Sequence, residues 1–184
     1  MAARAINVPN ALTLLRFALV PVIAWALLRA DYALALVLFA LSALSDAADG
    51  YIARRWNQRT RFGAVADPLA DKLTMLTVAV LLAWLGMLPW WFVAAVVGRD
   101  VLIVAGALAY HLRIGRVEMA PSVLSKANTG FEFTLLLGVL AIGAGLLPDG
   151  VWRDVLLYAT LATIVASGTH YVVVWGRKAM QATR

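Results

Sequence analysis

Cysteine is absent from the 184 residues, which removes disulfides, thiol nucleophiles and thiolate metal sites from consideration. Histidine is nearly absent as well. His111 and His170 stand far apart without metal-ligand spacing, so a histidine-built metal centre is excluded. Charge is scarce, at 14% of residues against about 25% in a soluble domain. No low-complexity segment, internal repeat or long linker divides the chain, so residues 1–184 read as one domain. What is plentiful is apolar surface. Hydrophobic residues make up 63% of the chain, where a soluble domain has about 45–50%. The class implied is an all-α integral membrane protein. A formal net charge of +6 would suggest nucleic acid in a soluble protein. Here it fits loops facing anionic lipid head groups, and no nucleic-acid partner is expected.

Six apolar segments are each near the ~20 residues that cross a bilayer. They are Asn10–Leu28, Tyr32–Ala53, Ala66–Gly86, Trp90–His111, Leu124–Leu147 and Trp152–Trp175. The breaks between them carry charges, glycines and prolines, including Gly86 to Pro89 and Pro148-Asp149-Gly150. The first segment has no persuasive small-residue cleavage site and is longer than a signal-peptide core, so it is expected to be retained. With a cytoplasmic N-terminus, one side receives Arg4, Arg54, Arg55, Arg59, Arg61, Arg113, Arg116, Arg177, Lys178 and Arg184. The other receives Arg29 and Arg153. That asymmetry predicts a six-transmembrane-helix bundle with both termini cytoplasmic, in the inner membrane of a bacterium. Trp84, Trp90, Trp91, Trp152 and Trp175 lie near the predicted boundaries, as an aromatic belt does.

Against this background stand Asp46, Asp49, Asp67 and Asp71, four acids within 26 positions at the ends of two apolar segments. Ionisable groups at bilayer depth are costly and need a compensating reason. On a helix, positions 46, 49, 50, 53 and 54 share one face, as do 67 and 71. The first face carries two acids, Gly50, Ala53 and Arg54; the second carries Asp67 and Asp71, with Pro68 expected in the first helical turn. Four carboxylates in one niche repel unless a hard divalent cation neutralises them, which predicts a metal site. Gly50 and Ala53 leave room for a flat group against the backbone, and Arg54 can grip a phosphate. Carboxylate-held metal in a lipid-facing protein points to phosphoryl chemistry on a lipid.

The run Asp46-x2-Asp49-Gly50-x2-Ala53-Arg54-x8-Gly63-x3-Asp67-x3-Asp71 resembles, without gap or substitution, the signature of the CDP-alcohol phosphotransferases. The resemblance extends from Asn7-Val8-Pro9-Asn10 to Gly176-Arg177-Lys178. It implies a six-helix membrane homodimer that transfers a phosphatidyl or similar group from a CDP-linked donor to an alcohol, releasing CMP. It further implies that Asp46, Asp49, Asp67 and Asp71 hold two Mg²⁺ or Mn²⁺ ions, with Asp71 doubling as the catalytic base. Gly50, Ala53 and Gly63 would let cytidine lie against the backbone, and Arg54 would bind the donor diphosphate. Asn10 and Thr13, on a polar face with Arg16, would stand near the donor phosphates.

Two acceptors are compatible with this family, phosphatidylglycerol and glycerol-3-phosphate. Arg99-Asp100-Val101-Leu102-Ile103 and Ser125-Lys126-Ala127-Asn128-Thr129 resemble the cardiolipin-forming members, as does the ending, while Glu132 stands where both groups usually carry glutamine. CDP-diacylglycerol and phosphatidylglycerol are therefore the expected substrates. Either acceptor brings a phosphate, for which Arg99 and Lys126 are the candidate partners; interfacial snorkelling or pairing with Asp100 and Glu132 is the alternative. A divalent-cation transporter is the rival class, since acidic rings also mark ion paths. Against it, the acids cluster at one side, and Arg54 on their face suits a diphosphate better than a cation conduit.

Overall fold

The computed structural model describes residues 8–55, 61–113 and 123–182, with side chains except at 8–10, 47–55, 61, 62, 64, 65, 110, 111, 113 and 175–182. These residues form six helices: α1 (Val8–Leu28), α2 (Tyr32–Arg55), α3 (Arg61–Trp84), α4 (Trp90–Arg113), α5 (Val123–Gly143) and α6 (Val151–Ala182). No strand occurs among the described residues. Each apolar run of the sequence has become one helix, which satisfies its backbone polar groups within the segment.

Three boundaries differ from expectation by more than two residues. Helix α3 starts at Arg61 rather than Ala66, so Pro68 lies inside the helix and not in its first turn. The helix carries on across a residue that supplies no N–H to the carbonyl four positions back. Helix α5 stops at Gly143, four residues short of the apolar run, and α6 continues to Ala182, past its last apolar stretch.

Three helices end in the same way. After α3, Met87 N–H reaches the Leu82 carbonyl and Gly86 N–H the Ala83 carbonyl, with Gly86 at φ 76°. After α5, Leu146 and Gly145 bond Ala141 and Ile142 in the same pattern, with Gly145 at φ 71°. This six-to-one closure satisfies orphan carbonyls and asks for a left-handed residue, which glycine adopts without strain. After α1 the pattern recurs through Asp31 and Ala30, and there the left-handed position at φ 56° is filled by alanine. Asp31 then caps α2 by accepting the Leu34 N–H at 3.0 Å.

The contacts divide the chain into two compact units. The first comprises α1, α2 and α3 with residues 136–148; α1 packs on both α2 and α3, and α2 meets α3. Ile23, Leu27, Phe39, Val78, Leu82 and Leu140 fill its core. The second comprises α4, residues 123–135 of α5, and α6, with α4 packed on α6 around Phe92, Val96, Leu157 and Ile164.

Polar side chains are buried beside the apolar core, and many large apolar side chains face outward. Thr13, Arg16, Ser42, Thr74, Asn128, Glu132, Thr160 and Ser167 are buried, while Leu14, Trp25, Leu41, Val104, Leu108 and Val165 are exposed. Apolar side chains can face outward in this way when the surroundings are hydrocarbon. Ala11–Leu28, Trp90–Ala109 and Val151–Val174 are long and apolar enough to cross a bilayer, and the apolar part of α2 spans Tyr32–Asp46. The chain is a helical membrane protein.

Candidate active site

Within the first unit, the end of α2 and the start of α3 bring their acids to α1. Arg16 lies on α1 with its side chain only 1% exposed. Its guanidinium donates to Asp46 Oδ1 of α2 at 2.5 Å and to Asp67 Oδ1 of α3 at 3.1 Å. One planar fork therefore ties two helices to a third, which a point-charge lysine could not do with the same geometry. Thr13 lies one turn before Arg16 and is fully buried, and its hydroxyl also donates to Asp67 Oδ1.

Asp71 follows Asp67 by one helical turn and is half-buried; its charged neighbours are Asp46, Arg16 and Lys72. Gly63 is buried one turn before Asp67. Asn10 belongs to the first turn of α1, and Asp49, Gly50, Ala53 and Arg54 to the last turns of α2; their side chains lie outside the described residues.

The donor set suits a hard divalent cation. Three described carboxylates, Asp46, Asp67 and Asp71, stand against the positive charges of Arg16 and Lys72, so negative charge is in excess among the described side chains. The carboxylates also keep access, with side-chain exposures of 47% for Asp46 and 31% for Asp67. Oxygen donors with surplus negative charge are what Mg²⁺ or Mn²⁺ requires. No group of three potential ligands is already drawn together among the described residues. Arg16 currently occupies one oxygen of each of two acids.

Sequence reasoning left Arg16 out of the site proper, although it placed the residue on a polar face with Asn10 and Thr13. The signal available was Thr13 and Arg16 at i, i+3 in an apolar helix, where an arginine needs an acid partner.

A second polar centre lies in the other unit. Arg99 of α4 donates through Nη1 to Asp100 at 2.9 Å, and through Nη2 to Ser125 of α5 at 2.6 Å and Ser167 of α6 at 2.9 Å. Its side chain is 9% exposed. One turn further along α5, the buried Asn128 accepts a hydrogen bond from Thr163 of α6 at 3.0 Å. Arg99 thus pairs with Asp100, as one of the two sequence-based readings expected. Lys126 is exposed on α5 beside Ser125.

Residues 6–172 match the family model described as CDP-alcohol phosphatidyltransferase. This chain belongs to that family. Cardiolipin synthase (CMP-forming) of Homo sapiens is 30% identical over 191 residues, covering 95% of this chain and 63% of the human protein. The chain thus spans a little under two thirds of that relative. A putative cardiolipin synthase of Mycobacterium tuberculosis (strain H37Rv) is 36% identical over 165 residues, covering 88% of this chain and 76% of the relative. A probable phosphatidylglycerophosphate synthase of the same species (strain CDC 1551) is 32% identical over 180 residues, with coverages of 92% and 82%. CDP-alcohol phosphatidyltransferases generally work with divalent metals.

Proposed function

We propose that this CDP-alcohol phosphatidyltransferase is a phospholipid synthase that moves the phosphatidyl group of CDP-diacylglycerol onto a hydroxyl of phosphatidylglycerol, giving cardiolipin and CMP. The observation that carries the reading is the convergence of Asp46 and Asp67 on Arg16, with Asp71 one turn beyond, in a membrane helix bundle. It takes the site to be on the cytoplasmic side of a bacterial inner membrane, in a homodimer of six-span subunits.

The acceptor hydroxyl is a poor nucleophile at neutral pH, so Asp71 takes its proton as the oxygen attacks the phosphorus bearing diacylglycerol. The bond from that phosphorus to the CMP oxygen breaks, and CMP leaves with the electron pair. When bound, two divalent ions held by Asp46, Asp49, Asp67 and Asp71 supply positive charge to the diphosphate. Arg54 and Asn10 orient the donor phosphates, while Gly50, Ala53 and Gly63 leave space for the cytidine; Thr13, expected beside those phosphates, is instead buried and donates to Asp67. Arg16 and Thr13 fix the Asp67 carboxylate, so the acid arrives preorganised. Arg99 and Lys126 receive the acceptor's phosphate.

A second reading keeps the mechanism and changes the acceptor to glycerol-3-phosphate. The similarity to a probable phosphatidylglycerophosphate synthase favours it. Purified protein given CDP-diacylglycerol and Mg²⁺, with phosphatidylglycerol or glycerol-3-phosphate in separate reactions, decides between them. Cardiolipin and CMP from phosphatidylglycerol alone are expected. Phosphatidylglycerophosphate from glycerol-3-phosphate alone overturns the acceptor. Metal flux into liposomes without CMP release would return the transporter to contention.

A further inference from the structure

An open groove of about 420 Å³ runs between α4 and α6, within the second unit. Its walls include Ala95, Gly98, Leu102, Val165 and Gly168, and Arg99 lines it as well. Leu102 and Val165 are exposed, at 40% and 59%.

Both glycines lie inside helices, where glycine is less stable than alanine. Neither has a backbone angle that demands it, and neither is there for close packing. A Cβ at Gly98 would meet nothing within 4 Å, and one at Gly168 would meet only Arg99 Cγ, at 4.0 Å. What the two glycines preserve is the width of the groove.

Arg99 adds chemistry to that shape. Its Nη atoms are engaged by Asp100, Ser125 and Ser167, while its buried Nε–H has no hydrogen-bond partner among the described residues. A buried donor without an acceptor is costly, and a phosphate oxygen is an acceptor well matched to a guanidinium. A free phosphate would satisfy Arg99 and leave the groove idle. A helix of a second copy would fill the groove and bring no anion. A phospholipid does both.

We infer that the α4–α6 groove is the berth for one acyl chain of an anionic phospholipid whose phosphate meets Arg99. This rests on the reading of phosphatidylglycerol as acceptor, and makes the groove the acceptor's seat.

Gly98→Leu tests it, because the new side chain projects into open groove. With dioleoyl phosphatidylglycerol the acceptor KM is expected to rise at least five-fold, while the KM for CDP-diacylglycerol stays within two-fold. With dihexanoyl phosphatidylglycerol the penalty is expected to shrink below two-fold. Equal increases in both KM values, a penalty independent of chain length, or a change of oligomeric mass on light scattering would each overturn the inference.

A binding measurement separates this from the acceptor assignment. Val165→Cys gives a lone thiol in a chain without cysteine, and a bimane there reports lipid contact. Chain-brominated phosphatidylglycerol is expected to quench it more strongly than chain-brominated phosphatidylcholine, and Gly98→Leu to remove the preference. If turnover uses glycerol-3-phosphate alone, the acceptor reading falls, and preferential quenching still supports a phospholipid seat. Equal quenching by both lipids overturns the groove whatever the acceptor.

Discussion

Two arginines whose side chains are largely buried, Arg16 and Arg99, have opposite surroundings. Arg16 meets carboxylates from two other helices, with Asp71 nearby, and is outnumbered by acid. Arg99 meets one carboxylate, that of its own neighbour Asp100, and two serine hydroxyls from other helices. A positive group in acid excess is a brace: it holds the acids in place and leaves negative charge for a cation. A positive group balanced by a single acid and cradled by neutral hydroxyls remains a receptor for an anion. The same side chain, placed in two polar niches, therefore suits the metal side of the proposed reaction in one unit and its phosphate side in the other.

The sharpest test of this contrast is the proposed base, Asp71. Asp71→Asn keeps the shape and removes the proton acceptor, so CMP release is expected to fall by about 10²–10⁴-fold. Retained turnover would mean that the acid centre has been misread. The brace comes next. Arg16→Ala leaves Asp46 and Asp67 without their shared partner and is expected to cost about 3 kcal/mol, the low end for a broken buried pair, because Asp46 is half exposed. Unfolding in detergent measures this, and adding Asp46→Asn and Asp67→Asn should recover part of the loss. No recovery would show that Arg16 acts by packing alone.

On the phosphate side the effects are smaller. Ser167→Ala removes one neutral hydroxyl from Arg99, a loss of about 1 kcal/mol, or about five-fold in acceptor KM. Ser167 is a positioning residue, so kcat should change little and Ser167→Thr should restore the KM. A fall in kcat instead would move Arg99 towards the chemistry. The smallest effect lies away from both arginines. Ala30→Gly relieves the left-handed position that glycine fills after α3 and α5, and is expected to stabilise by about 0.5–1 kcal/mol in thermal unfolding.

The helices were legible in the sequence because each is a long apolar run, and turn residues mark the breaks. Their ends were less so. Helix α3 extends past Pro68 to Arg61, and α6 runs on to Ala182, because a helix continues through polar residues when no strong breaker stops it. The aspartates were legible for the same reason as the spans: acids in an apolar run are conspicuous. Their brace was not. Arg16 is 30 residues from Asp46 and 51 from Asp67, and no local spacing encodes a pairing over that distance. Nor could any pattern foretell that Arg99 would take hydroxyls from Ser125 and Ser167, 26 and 68 positions away.

The position of Arg16 also bears on how the protein is made. Helix α1 is synthesised before α2 and α3 and carries a guanidinium in a largely apolar segment. An arginine near the centre of an isolated span costs roughly 2.5–3.5 kcal/mol to insert, less towards its ends. The carboxylates that neutralise it arrive only with the second and third helices. Arg16 is thus paired only once α2 and α3 have followed α1. The two ion pairs that order Asp46 and Asp67 therefore join α1 to α2 and α3 only after all three helices have been made.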